Sequence, residues 1–455
     1  MANGDASIPT GPRIYNLFPT LLGAVTRWHE RLPAISDMGF DWIFVNPVHL
    51  PGASGSLYAI KDTRRLHPLL LESDPEPDDE GGLGTDFGDR LLRDFCAAAG
   101  EAGIRVMLDL VINHTARDGV LVERHPSWFA HDENGKIRSP SVADLDDPEQ
   151  ITVWDDLAEL DYSERPEREA LLAHWEGLIR HYIRLGFAGF RCDAACKLPH
   201  EIWSRLIHGA RIERANLRFF AETLGAAEDE IEQLRGAGFD YQFNSAKWWN
   251  FREDWLLEQY RRFRGLAPSI AFPESHDTSR LAADSGGSAE ESRFRYLFAA
   301  VFSSGIMMPI GYEFGFKQPL HVTETGPDDW KAGLAGSPFD ISDYISRVNA
   351  MKAATPVLNE EGPQERVTDA NVRLVGLLRR SEHGPQRSLA LINPDAEHDE
   401  PYRAQALAQL LGAAPADIRE ITPAAQPDAH GAAANCSEHD TLRVPPRAIR
   451  IFVAG

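Results

Sequence analysis

Four acidic residues stand at or just past the ends of short runs of β-forming residues. They are Asp109 in MLDLVINH, Asp193 in GFAGFRCDA, Glu222 in FFAETL and Asp277 in AFPESHDTS. Three have a potential helper close by: His114 after Asp109, Arg191 two before Asp193, and His276 directly before Asp277. Residues two apart on a strand face the same side, so Arg191 and Asp193 should point into one space. A fixed guanidinium keeps a neighbouring carboxylate ionised, as a nucleophile requires. Glu222 follows the apolar run Phe219–Phe220–Ala221, where partial desolvation raises a carboxyl's pKa toward the range useful for an acid. An attacking carboxylate and a protonating carboxyl are the pair that glycosidic bond cleavage needs. Taken singly, a strand-end acid is more often a helix cap or an ion-pair member. Four of them on strands three, four, five and seven are harder to explain that way.

The elements that must position these acids repeat one theme over the first 355 residues: a short apolar run, a loop, then a longer helical pattern. Candidate strands are Ile14–Phe18, Asp41–Asn46, Ile104–Val111, Gly186–Asp193, Arg218–Glu222, Tyr241–Asn244, Ser269–Pro273 and Ile306–Gly311. Helical stretches such as Phe87–Ala102, Pro166–Arg184, Pro199–Arg214 and Ser292–Ser303 lie between them. Eight such units predict an α/β fold, a (β/α)₈ TIM barrel, with its chemistry at the C-terminal ends of the strands. Two connections exceed the usual short loop. One carries the acidic, Gly-rich run Glu76–Gly84; the other, 115–161, is read as a small inserted subdomain after strand three. Beyond about Thr355 the pattern becomes VRLVGLLRR, RSLALIN and RAIRIFVAG. The expected division is therefore a catalytic barrel over 1–355, including 115–161, and a C-terminal all-β domain, a β-sandwich, over 356–455. The Ala/Pro-rich stretch Pro423–Ala434 reads as an exposed loop within it.

The balance of 46 Lys+Arg against 69 Asp+Glu, a net charge of −23, argues against a polyanionic partner, so no nucleic acid is expected. No run of about 18 apolar residues occurs, and no membrane span is expected. Met1–Pro12 lacks the charged and apolar regions of a secretory leader. Cys96, Cys192, Cys196 and Cys436 do not look like a disulfide framework. They read as reduced thiols of a cytoplasmic protein, and Cys192, by strand alternation, should face away from the barrel interior.

The acid-bearing segments resemble the motif regions of the α-amylase superfamily, glycoside hydrolase family 13. DLVINH (Asp109–His114) is similar to its first region, GFRCD (Gly189–Asp193) to its second, AET around Glu222 to its third and HD (His276–Asp277) to its fourth. GFDWIFVNP, LYAIKDTRRLHP, LAELDY and GIMMPIGYEFG match further stretches in order, over about 300 residues. The resemblance implies a retaining enzyme acting on α-glucan or oligosaccharide, with Asp193 as nucleophile, oriented by Arg191, and Glu222 as acid/base. Asp277 would bind the donor's hydroxyls and favour its distorted form; His114 and His276 would bridge to sugar hydroxyls and Tyr58 would stack on the ring. Asp109 would be a supporting acid of the same substrate-binding site.

HPSWFAHDENGKI, WDDLAELDY and KLPHEIWSRLI are similar to the branch of bacterial maltosyltransferases that extend α-1,4-glucan from maltose 1-phosphate. Those enzymes carry a large N-terminal module and usually an Asn directly after the nucleophile, where this chain has Ala194. They also lack the His-Asp pair. The family's usual second region has Lys-His after the nucleophile; here Ala194, Ala195 and Cys196 precede Lys197. That histidine often supplies a ligand to a structural calcium. Asn113 alone is a poor substitute for six to eight oxygens, so no metal and no cofactor is expected. Trp248, Trp249 and Phe251 after strand six are either core aromatics or a stacking platform for an acceptor sugar. Three functions stay open: a glycosidase or transglycosidase, a maltosyltransferase using maltose 1-phosphate, and a catalytically inactive carbohydrate-binding protein.

Overall fold

The computed structural model describes residues 11–72, 83–143, 151–424 and 441–455. Most of the Glu76–Gly84 run, most of Pro423–Ala434, Met1–Thr10 and Cys436 lie outside the described residues.

Eight parallel strands close into a barrel: β1 (Arg13–Leu17), β2 (Trp42–Val45), β3 (Arg105–Leu110), β4 (Gly189–Cys192), β5 (Arg218–Ala221), β6 (Tyr241–Phe243), β7 (Ser269–Ala271) and β8 (Gly305–Pro309). Each pairs with its successor in the chain, and β8 closes on β1 with Arg13 opposite Ile306. All eight strands expected from the sequence are present, and the barrel is the (β/α)₈ form. Helices including Leu83–Glu101, Glu167–Leu185, His200–Glu213 and Ala289–Phe302 lie between successive strands.

The interior is a packed plug, not a pore. Ile14, Trp42, Phe44, Met107, Phe220, Ile270 and Met307 form one buried cluster inside the ring of strands, separate from the larger core between barrel and helices. Strand alternation then dictates the layer above. Two residues beyond Met107 is Asp109, two beyond Gly189 is Arg191, and two beyond Phe220 is Glu222. Ile14 and Phe44 are followed in the same way by Asn16 and Asn46, both fully buried. Gly189 is required by this packing, because a Cβ there would sit 2.5 Å from the Arg218 carbonyl and 3.3 Å from the Trp42 ring.

The segment 115–161 is built from two short antiparallel pairs, His114–Ala116 with Leu157–Glu159 and Ser141–Ala143 with Ile151–Val153, and the helix Val120–Arg124. After the last barrel helix, Ser342–Ala353, a five-stranded antiparallel sheet spans Gln364–Ala454, and Glu400–Arg403 pairs separately with Thr441–Val444. One helix, Ala404–Leu411, belongs to this C-terminal part, a feature the strand pattern had not singled out. At the junction the buried Lys352 ammonium donates to the carbonyls of Ala300, Ser303 and Leu358 at 2.6–2.8 Å, which offsets the penalty of burying its charge. Among the described residues no helix is long and apolar enough to cross a membrane.

Candidate active site

Arg191 is the centre of the barrel mouth. Its Nη1 donates to both oxygens of Asp109 (2.9 and 3.0 Å) and to Asp193 Oδ1 (2.6 Å), while Nη2 lies 3.8 Å from Glu222 Oε2. One guanidinium therefore spans three carboxyl groups, on β3 and directly after β4 and β5. Burial works against its charge, but Asp109, Tyr58, Asp193 and Glu222 around it hold Arg191 protonated well beyond an ordinary arginine. The i, i+2 relation expected for Arg191 and Asp193 is thus realised as a direct ion pair.

Glu222 is fixed by the loops beside it. Its Oε2 accepts from the Ala194 N–H at 2.9 Å and its Oε1 from the Leu224 N–H at 2.5 Å. Burial pushes its pKa up to about 7, with the Asp193 charge adding to the rise and Arg191 opposing it. A carboxyl poised there can give a proton near neutrality and take it back. Ala194, whose N–H makes one of these contacts, has φ +41, a region that non-glycine residues other than Asn and Asp rarely adopt.

Asp109 is fully enclosed beneath. Tyr58 donates its hydroxyl to Asp109 Oδ2 (2.8 Å), and Asn46, held by Asn16, donates to the Tyr58 oxygen (3.0 Å). Burial raises Asp109 to about 7 against the pull of Arg191. His276 Nε2 lies 2.6 Å from the Tyr58 hydroxyl and 3.1 Å from Asp277 Oδ2. Burial lowers the His276 pKa, so the ring is neutral. The Tyr58 proton goes to Asp109, and His276 Nδ1 has no partner, which puts the ring proton on Nε2, donating toward Tyr58 and Asp277. His114 Nε2 lies 3.2 Å from the Tyr58 carbonyl, tying that loop to the site, and burial lowers its pKa too. Asp277 is the open member, with about half of its side chain exposed.

All eight residues singled out from the sequence thus meet at one mouth. Those that line the adjoining cleft of about 860 Å³ include Tyr58, His114, Arg191, Asp193, Glu222 and Asp277. Sequence reasoning missed Asn16 and Asn46. The signal was available, since both follow an interior apolar residue by two. The aromatic run after β6 divides: Trp249 and Phe251 are buried core, whereas Trp248 is 51% exposed and lines the cleft. Across the cleft, the inserted segment contributes Trp154, 42% exposed. Cys96, Cys192 and Cys196 are free thiols, with Cys192 buried. Asn113 Oδ1 is buried without a partner, yet among the described residues no group of three His, Cys, Asp or Glu side chains is arranged to hold a metal ion. One orphan oxygen falls well short of the donor set calcium takes, so these residues do not fit that ion and no chemistry is routed through it.

The fold and site define a (β/α)₈ barrel with an arginine-clamped trio of acids at its mouth and a fourth, Asp277, beside it. A family model described as the glucanotransferase domain of glycogen debranching enzyme matches residues 11–134. The chain is 29% identical over 396 residues to the α-1,4-glucan:maltose-1-phosphate maltosyltransferase of Burkholderia pseudomallei, covering 85% of this chain and 33% of that protein. With the Myxococcus xanthus protein of the same description it is 27% identical, covering 82% and 56%. The chain thus spans between a third and just over half the length of these relatives. Among solved structures, the α-amylase of H. orenii superposes with a TM-score of 0.73 at 14% identity, covering 98% of this chain and 100% of that one. The noncanonic maltogenic α-amylase AmyB of Thermotoga neapolitana gives 0.66 at 21%, covering 98% and 96%. The chain is thus similar to maltosyltransferases over most of its length and shares the fold of α-amylases.

Proposed function

We propose that this chain is a retaining enzyme that cleaves α-glucosidic bonds of glucans or oligosaccharides by double displacement and passes the glycosyl unit to water or a sugar hydroxyl. The observation that carries the reading is the single guanidinium shared by Asp193 and Glu222, with Glu222 raised by burial toward neutrality. Asp193 attacks the anomeric carbon while Glu222 gives its proton to the departing oxygen. In the second half Glu222 takes a proton from the incoming hydroxyl, and the bond to Asp193 breaks. Asp277 and His276 bind the donor's hydroxyls, the Tyr58 ring stacks on it, and His114 bridges to a hydroxyl. Asp109 acts through Arg191 and Tyr58 as a positioning group. The active unit spans 1–355 with its insertion 115–161, and 356–455 packs as a companion domain. The three free thiols support a reducing, cytoplasmic setting.

A second reading, maltosyl transfer from maltose 1-phosphate, draws on what the two relatives are called. The charges in the cleft favour a neutral donor. Asp156, Glu159, Asp193, Glu222 and Asp277 face only Arg138, Arg191 and Lys197 among the described lining residues. Each of those cations is already paired, Arg138 with Glu159 at 2.7 Å and Lys197 with Glu230 at 3.4 Å. Incubation with maltooligosaccharides, with and without maltose 1-phosphate, tests both readings. New reducing ends or rearranged chains without the phosphate donor support the first. Chain growth only when maltose 1-phosphate is present supports the second, and no change in any mixture leaves a binding protein.

A further inference from the structure

Glu222 gives its proton to the leaving oxygen, so the reducing-end part of a bound chain departs on the side of β5. The donor part runs the other way, from Asp193 past Tyr58, and ends in the chain's non-reducing terminus. In the closed ring of eight strands β1 stands opposite β5, flanked by β2 and β8. Among the described residues the segment between β1 and β2 lends no lining to the cleft. Ser56, Tyr58 and Val322, from the segments after β2 and β8, line it instead. These two segments join across β1. The Leu57 N–H donates to the Val322 carbonyl at 3.0 Å, and a Cβ on Gly55 would lie 4.0 Å from the Thr323 carbonyl.

The bridge is braced at both feet. Residues 52–59 form a closed turn, with the Gly52 N–H donating to the Ala59 carbonyl at 2.8 Å. That turn presses on the inserted segment: a Cβ on Gly52 would stand 2.4 Å from Asp118 Oδ1 and 2.6 Å from the Ala116 Cβ. Asp118 accepts from the Ala53 N–H at 3.2 Å and from Lys61 Nζ at 2.8 Å. On the other side the His321 N–H donates to Thr325 Oγ1 at 2.8 Å and the Thr325 N–H to the His321 carbonyl at 3.2 Å. Residues 321–325 are thus closed on themselves. Their foot is the Gln318 carbonyl, which accepts from Arg280 Nε at 3.1 Å, and Arg280 is fixed in turn by the buried Glu274 at 2.7 Å. The inserted segment, the two turns and the loop that carries His276 and Asp277 therefore make one rim around the far end of the donor side. Ser56 stands two residues from Tyr58, no more than about 7 Å along an extended chain. The rim begins close to the ring that Tyr58 stacks on.

We propose that this bridge closes the donor end of the cleft into a pocket, so that the enzyme works from the non-reducing ends of glucans and moves a short unit of about one or two glucosyl rings. The inference rests on the α-glucan reading above. The bonds broken and formed are those of the double displacement already described; the bridge decides only where along the chain the break falls. The test incubates maltoheptaose labelled at its reducing end, and separately β-cyclodextrin, which has the same linkage and no ends, with the full chain. A variant with residues 321–325 replaced by two glycines is run beside it. The closed pocket predicts labelled chains that shorten or, on transfer, lengthen by one constant short step. It also predicts that the cyclodextrin turns over at least about a hundredfold more slowly, and that the opened variant raises its turnover about tenfold or more. With the unaltered chain, internal cleavage of maltoheptaose among the first products, or cyclodextrin turnover within about tenfold of maltoheptaose, overturns the closed donor end and leaves the α-glucan reading standing. An opened variant that still takes maltoheptaose but gains no turnover of the cyclodextrin removes the bridge as the cause. Inertness of the unaltered chain toward maltoheptaose, with or without maltose 1-phosphate, overturns the α-glucan reading and the inference together.

Discussion

The two sides of the barrel mouth are built differently. On the donor side Asn16, Asn46, Tyr58, Asp109, Arg191 and His276 form one continuous hydrogen-bonded cluster, and all but Tyr58 are buried. Around the rest of the cleft Trp154 stands on a loop and Trp248 and Lys197 on single 3₁₀ turns, each substantially exposed. The first side is set by strand alternation above a packed interior and has little freedom to differ. The second depends on loops, which can change length and side chain without disturbing the barrel. On the proposed reading, bond chemistry sits on the rigid half and chain selection on the adaptable one.

Replacing the reacting groups should produce the largest effect. D193N and E222Q should each lower kcat by about 10³-fold or more, with the folded state intact by circular dichroism. Activity within tenfold of the parent would break the assignment of chemistry to the rigid half.

The adjacent tryptophans sharpen the contrast next. Trp249→Ala should cost about 3–5 kcal/mol in urea unfolding, as expected for an emptied aromatic core site. Trp248→Ala should stay within about 0.5 kcal/mol and show itself in substrate length preference instead. Similar losses for the two would erase the distinction between anchor and platform.

A smaller effect concerns pH. Glu222 must carry a proton to release the leaving group, and its folded pKa is about 7. The protonated form is lost as pH rises through that value, so kcat/KM should fall by about tenfold per unit on the alkaline side. A flat profile from pH 6 to 9 would remove Glu222 as the acid. The smallest effect is at Ala194, in the left-handed region with φ +41. Ala194→Asn should raise unfolding free energy by about 0.5–1 kcal/mol, since Asn tolerates that conformation; a lower Tm would show that the methyl's surroundings matter more than the backbone.

How much of this was legible in the sequence follows the same divide. The short apolar runs located all eight strands, and the acids at or just past the ends of β3, β4 and β5 placed Asp109, Asp193 and Glu222 in one mouth. The burial of Glu222 could be expected from Phe219 and Phe220 before it. Trp248 and Trp249 could not be told apart, because neighbours in an irregular turn have no periodicity to assign them faces. What separates them is the left-handed Phe251 and the rings of Phe294 and Phe298, contacts made across more than forty residues. The backbone N–H groups of Ala194 and Leu224 on Glu222 were equally invisible, since every residue carries such a donor and only the fold aims it.

The central claim is that Asp193 and Glu222 act as nucleophile and acid/base across one shared guanidinium. Proton NMR of the anomeric signals during the first turnovers on a maltooligosaccharide tests it most directly. With a double displacement the newly formed end appears as the α-anomer and mutarotates later. A β-anomer appearing first would mean a single displacement and would contradict it.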